Sequence, residues 1–414
     1  MNATKEILVY WNHMSEKPEL LGVLSAQVVR NKEVFSFEFD EAWLANHPDQ
    51  MLDPDLQMYS GKQFSAKANF GIFMDSAPDR WGRKLMLRRE AIRAKKLGEK
   101  ARTLLESDYL LGVYDENRMG AIRFKLPDDS VFLNNDLSMA ASPWTRLREL
   151  EVASRHLDDE KIDSEHERWL SMLLAPGSSL GGARPKASVV SETGELWIAK
   201  FPSKNDLYNT SAWEFAVSRM ARDAGINIPE TKLEKFSDNG STFLVRRFDR
   251  VNSQRIHFAS AMTLLGMTDG TDADSGVSYL DIAEFISKRS ASPQKDLSEL
   301  WSRMVFSIAV SNTDDHLRNH GFLLTGDGWK LSPAYDINPN PSGAGLSLNI
   351  TTDDNSLDFA LALEVAPFFR LDGSEAEKIL KNVRATVANW RGYAKRCGIA
   401  EHEIETMAPA FSNK

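Results

Sequence analysis

Residues 312–319 read Asn-Thr-Asp-Asp-His-Leu-Arg-Asn and follow directly on the apolar run DLSELWSRMVFSIAVS at 296–311. Two carboxylates, an imidazole, a guanidinium and two amides therefore converge at the end of a segment whose apolar spacing predicts a buried helix. A capping loop explains one Asp or Asn at such a place, because short polar side chains satisfy the loose backbone groups of a helix end. It does not explain the whole cluster. Four residues separate Asp314 from Asn319, a spacing that pairs a carboxylate able to accept a proton with an amide oxygen able to hold a hard cation.

Working outward, Asp336 lies in WKLSPAYDINPNP (329–341), a short strand followed by a proline-rich turn. It reads as a second magnesium ligand or, taken alone, as a turn-initiating aspartate. Upstream, the loop APGSSLGGARPK (175–186) offers Gly177, Gly181 and Gly182 for close backbone approach to phosphate oxygens, with Ala183 between them and the cations Arg184 and Lys186. No Gly-Lys-Ser/Thr follows those glycines, so the loop is not a Walker A motif. Lys200 closes the apolar strand LWIAK, where a cation needs a ligand or partner, or else snorkels to water. Glu214, one turn into a helix expected from Thr210 to Ala224, is its candidate counter-ion; a helix-dipole glutamate is the plainer reading. TKLEKF and STFLVRRF, joined by SDNG at 237–240, predict a hairpin. Its end, with Arg246 and Phe248, falls where a hinge would meet adenine.

The order of these parts (Gly-rich loop, Lys, Glu, hairpin, Asp-x4-Asn, Asp) is the order in which a protein-kinase fold presents them. The expected class is α+β and bilobal, with a β-rich N-terminal part and a mostly helical C-terminal lobe. ILVYW, LLGVLSAQVV and EVFSFEFD, all before residue 41, alternate as strands of an antiparallel sheet. LPDDSVFLNNDLSMAASPW (126–144) reads as a linker. The expected divisions are a β-rich subdomain at 1–130, a nucleotide-binding lobe at 131–250 and a helical catalytic lobe at 251–414.

Bulk properties narrow the classes. The net charge is −9, with 42% hydrophobic and 26% charged residues, which argues against a protein that coats nucleic acid over its whole surface. The lone Cys397 excludes an intramolecular disulfide and a cysteine zinc site. No run approaches the roughly 18 apolar residues of a membrane span, and MNATKEILVYW lacks the features of a signal peptide, so a cytoplasmic protein is expected. One local exception is the basic stretch 80–102, either a solvated face or a surface for nucleic acid or an acidic partner.

DSAPDRWGRKLM, GSSLGGARPK, LWIAKFP, FLVRRFDR, NTDDHLRNHGFL, LSPAYDINP and ANWRGYAKRCGI together resemble the HipA family of bacterial serine/threonine kinases, toxins of two-gene toxin–antitoxin systems. The resemblance covers nearly the whole chain. It implies that Asp314 is the catalytic base, with His316 supporting its loop. It implies that Asn319 and Asp336 bind Mg2+ and that Lys200 contacts the ATP phosphates. It further implies a mobile Gly-rich loop in which a serine, Ser179 or its neighbour Ser178, is autophosphorylated to silence the enzyme. Relatives commonly carry an acidic residue where this chain has Arg246. The implied partners are a small DNA-binding antitoxin, DNA only through that complex, and a protein substrate, which in some relatives is an aminoacyl-tRNA synthetase. Two rivals remain: a catalytically silent scaffold acting with the antitoxin on operator DNA through residues 80–102, and a metal-dependent hydrolase built on Asp314, Asp315, His316 and Asp336.

Overall fold

A computed structural model describes residues 4–30, 32–137, 140–157, 170, 173 and 184–412. The chain resolves into two compact units, one of Met1–Lys204 with Asp249–Ala259 and the other of Asn205–Phe248 with Ser260–Lys414. The class is α+β, with strands prevailing at the N-terminal end and helices toward the C-terminus.

In the first unit, β1 (Lys5–Trp11), β2 (Glu19–Val29) and β3 (Lys32–Phe39) run antiparallel, and with β4 (Gln63–Phe64) and β5 (Ile122–Lys125) they form a sheet of order β4-β3-β2-β1-β5. Ile7, Val9, Leu24, Phe35 and Phe37 are buried, the inward row that a period of two produces. Gly22 sits beside the register shift at Val9/Tyr10, where a β-carbon would fall 2.2 Å from the Glu38 carbonyl oxygen. No other residue fits there without moving the strand.

Asp79 caps α1 (Arg80–Leu97) by accepting from the Gly82 N–H, and Gly98 ends the helix at φ 65. β6 (Lys186–Val190) and β7 (Leu196–Lys200) follow as an antiparallel pair. The same unit buries a knot of charge. Arg118 is fully buried and donates to the carbonyls of Ser76, Leu110, Val113 and Leu133, while Arg255 donates to the Asp115 carbonyl. Asp249 accepts from the Gly120 N–H at 2.8 Å and pairs with Arg250 at 2.5 Å.

In the second unit the cap of α2 (Thr210–Asp223) is Asn209, one residue before the expected Thr210, because its side-chain oxygen reaches the Ala212 N–H. β8 (Thr231–Ser237) and β9 (Gly240–Arg246) form the hairpin at SDNG. α3 (Tyr279–Arg289) and α4 (Pro293–Val310) pack together, and α4 buries Leu297, Leu300, Trp301, Met304, Val305 and Ile308. β10 (Gly321–Thr325) and β11 (Gly328–Leu331) make a second hairpin. SEAEKILKNVRATVANWRGYAKRC (374–397), whose apolar spacing reads as one helix, forms two, α5 (Gly373–Val387) and α6 (Trp390–Arg396). No described helix is long and apolar enough to cross a membrane.

Candidate active site

The decisive stretch begins where α4 stops. Ser311 takes a left-handed backbone, φ 51, which turns the chain out of the helix. Of the two adjacent aspartates, Asp314 is exposed and Asp315 is buried. Asp315 accepts from the Tyr279 hydroxyl at 2.5 Å and the Ser307 hydroxyl at 3.1 Å, and His320 Nε2 lies 3.2 Å from its other oxygen. Burial alone would raise its pKa, but the His320 charge and these hydrogen bonds outweigh it and hold the carboxyl below its ordinary range. Burial, together with the Asp315 charge, pushes the Tyr279 phenol well above its usual value, so it remains a donor.

The two adjacent carboxylates thus have separate surroundings. Asp315 faces inward, which removes it from a hydrolase centre shared with Asp314 and Asp336. Among the described residues no group of three or more His, Cys, Asp or Glu could hold a metal.

The Asn319 amide nitrogen donates to the Asp314 carbonyl at 2.8 Å, while its Oδ1 is buried with no hydrogen-bond partner among the described residues. An amide oxygen left over in this way fits a hard cation. His316 is half-buried; its N–H donates to the Asp314 carbonyl at 2.9 Å and its carbonyl accepts from the Asn319 N–H. Asp336 is half-buried at φ 59, in the left-handed region, and accepts from the Asn338 side-chain amide at 3.3 Å. The Asn338 N–H in turn donates to Asn312 Oδ1 at 3.1 Å. Phe248 packs on Tyr335 with ring centroids 5.6 Å apart, and the Tyr335 hydroxyl donates to the Arg318 carbonyl. Asp314, Asn319, Asp336 and Phe248 therefore belong to one connected set of contacts in the second unit.

Other candidates have other surroundings. Arg246 is exposed, and its guanidinium lies 3.5 Å from Glu230 at the strand edge. Glu214 is buried in α2, and Lys200 is buried at the end of β7. Lys186 is buried too and forms a 2.8 Å ion pair with buried Asp79, while its carbonyl accepts from Trp81 Nε1. Ser178, Ser179, Gly181, Gly182 and Ala183 lie outside the described residues. In the basic stretch, Arg83 makes a bidentate pair with Glu106, Arg93 pairs with Glu90 and Glu99, and Arg102 with Glu90 and Asp108. Much of its charge is answered within the unit.

The family model described as the HipA-like C-terminal domain matches residues 178–390, just over half of the chain. The chain belongs to this HipA-like family.

Over 182 residues it is 30% identical to the candidate kinase Y4mE of Sinorhizobium fredii, which takes in 38% of this chain and 41% of that protein. It is 28% identical over 187 residues to a candidate kinase of Haemophilus influenzae, covering 40% and 54%. The serine/threonine-protein kinase toxin HipA of Shewanella oneidensis is 24% identical over 191 residues, covering 39% and 43%. The HipA-like chain thus matches about half or less of each of these relatives. Its fold extends further: a chain of the solved Shewanella oneidensis HipA, HipB and operator DNA complex superimposes with TM-score 0.64, covering 97% of this chain and 95% of that one at 18% identity.

From the sequence, Tyr279, Ser307, His320 and Asn338 carry no assigned part and Asn312 counts only as one amide of the cluster, yet all five surround the Asp314 loop. Asn312 was the one within reach, since an amide that starts a polar run after an apolar helix is a plain place to look for a buried bracket. The others are ordinary residues until the fold sets Tyr279, Ser307 and His320 beside Asp315 and Asn338 beside Asp336.

Proposed function

We propose that this HipA-like chain is an ATP- and magnesium-dependent serine/threonine protein kinase and the toxin of a toxin–antitoxin pair. The observation that carries this is the pairing of an exposed Asp314 with an Asn319 whose amide nitrogen is fixed on the Asp314 backbone and whose oxygen is left over. In this reading Asp314 accepts the proton of the acceptor hydroxyl as its oxygen bonds to the γ-phosphorus and ADP departs. Asn319 and Asp336 are the residues that would hold Mg2+. When bound, the ion would offset charge on the phosphate oxygens. Lys200 is assigned to the ATP phosphates and Phe248 to the adenine, with His316 bracing the loop through its backbone bonds on either side.

The finer assignments are Gly181, Gly182 and Ala183 as the phosphate loop, a cytoplasmic location and the three-part division at 130 and 250, all read from the sequence pattern, and Ser179 or Ser178 as the autophosphorylated serine, which the family resemblance implies. A phosphate on that loop, at roughly −1.5 to −2 charge, would compete with ATP for the same N–H groups. The proposed partners are a protein substrate and a DNA-binding antitoxin, the relative from Shewanella having been solved with HipB and operator DNA. A silent scaffold that binds DNA through residues 80–102 is the weaker reading, because Arg83, Arg93 and Arg102 already hold carboxylates.

Intact-mass spectrometry after incubation with ATP and Mg2+, with Asp314→Asn alongside, tests the proposal. Phosphate gained by the wild type alone supports it. No gain on any residue or added protein acceptor, from a chain that enters the assay unphosphorylated, overturns it.

A further inference from the structure

The polar groups beneath Asp314 form a continuous path within the second unit. The Tyr279 hydroxyl donates to Asp315 Oδ2, and so does the Ser307 hydroxyl; Asn312 Nδ2 donates to Ser307 Oγ at 3.3 Å. Asn312 is 1% exposed, and its other end, Oδ1, accepts from the Asn338 N–H at 3.1 Å. Asn338 Nδ2 then reaches Asp336 Oδ1 at 3.3 Å. Two flanking bonds follow the same course, Asn340 Nδ2 to Thr313 Oγ1 and Ser347 Oγ to the Thr313 carbonyl, both at 2.8 Å. The loop that carries the proposed base is thus stitched to the turn that carries the proposed metal ligand.

We infer that Asn312 is a positioning residue whose buried amide, anchored from below by Asp315 through Ser307, fixes Asp336 relative to the Asp314–Asn319 loop. The inference rests on the kinase reading for the roles of Asp314 and Asp336. The physical case is one of geometry. Asp336 sits in a left-handed backbone at φ 59, a conformation unfavourable for an L-residue that persists only when its surroundings impose it. The bond from Asn338 N–H to Asn312 is two residues away and is among the contacts that impose it. A side-chain amide suits this position because it accepts from one segment and donates to another at once. A carboxylate in its place would add a second buried charge close to Asp315.

The experiment uses the full chain and two variants, Asn312→Leu and the milder Tyr279→Phe. Mn2+ is the metal probe, followed by its electron paramagnetic resonance signal in the presence of ADP, and ADP affinity is measured separately in EDTA. Removing a group that orients a metal ligand typically weakens metal affinity about 10- to 100-fold. Asn312→Leu should therefore weaken Mn2+ binding by at least about 10-fold, and Tyr279→Phe by a smaller factor in the same direction. ADP affinity without metal should stay within about two-fold, which a merely unfolded or loosened protein would not achieve.

Equal Mn2+ affinity in wild type and both variants overturns the inference, while the kinase reading stands or falls on phosphate transfer by the wild type. Wild-type protein that takes up no Mn2+ with ADP also overturns the inference, and phosphate transfer then decides the kinase reading by itself. If Asn312→Leu does not fold, Tyr279→Phe decides: unchanged Mn2+ affinity in that variant counts against the inference, and weakened affinity with intact ADP binding counts for it.

Discussion

Each unit buries a knot of polar groups, and the two knots differ in where they end. In the first unit the fully buried Arg118 ends on the carbonyls of Ser76, Leu110, Val113 and Leu133, so its charge ties backbone segments to one another. In the second unit the path from Tyr279 through Asp315, Ser307, Asn312 and Asn338 runs to the half-buried Asp336, and the loop it braces carries an exposed Asp314 and a buried Asn319 oxygen with no described partner. Burial of charge is therefore no mark of chemistry by itself. What sets the second knot apart is that it leads to the half-buried Asp336 and braces the loop of an exposed Asp314.

The two knots should respond to mutation in different ways. The largest effect is expected at the open end of the second knot, where Asp314→Asn and Asp336→Asn should each lower phosphate transfer by about 10^3-fold or more. Both variants should melt within about 2 °C of the wild type. Kinetic assays beside calorimetry check this, and a variant that unfolds would place these residues in the structural class with Arg118.

Arg118→Met should do the reverse. Losing a buried guanidinium takes a donor from four carbonyls, of which that of Val113 keeps the Asn134 N–H, for a loss of about 3–5 kcal/mol, visible as faster amide exchange around residues 110–113 and 133. Equal damage to exchange in the Asp314 loop would break the contrast between the knots.

A smaller effect sharpens the comparison within the first unit. Asp53 accepts from the Ile72 and Asp55 N–H groups, yet burial lifts its pKa from 3.8 to about 6. The folded chain then keeps a proton that the unfolded chain releases, so this contribution to stability is present below pH 4 and is lost as pH rises toward 6. The loss is at most about 3 kcal/mol. Denaturant titrations at pH 4 and pH 6.5 should show it, and Asp53→Asn should flatten the difference. A wild-type stability that does not fall relative to Asp53→Asn would contradict the assignment.

What could be read from the sequence was local. The alternation of β1 to β3, the hairpin at SDNG and the helix before NTDDHLRN all rest on periodicity or turn chemistry within a few residues. So does the Asp314–Asn319 spacing. What could not be read depends on distant partners. Nothing in DDH tells which aspartate faces inward, because that is set by the left-handed turn at Ser311 and by Tyr279 on another helix. Lys186 read as a phosphate ligand from its glycine neighbours, while its partner Asp79 lies in a different stretch of the chain. The break between α5 and α6 falls at Ala388 and Asn389, with no proline or glycine to announce it.

The backbone at Asp336 bears on how this chain could lose the proposed activity over generations. A left-handed φ restricts the position to glycine, asparagine and aspartate more than to any other residues. Each aspartate codon is one transition away from an asparagine codon and one from a glycine codon. The mutations that delete the carboxylate most readily are thus the ones that leave the turn undisturbed. Inert copies would accumulate as well-folded proteins, still able to compete for the same partners, and would go unnoticed by any screen that looks for misfolding.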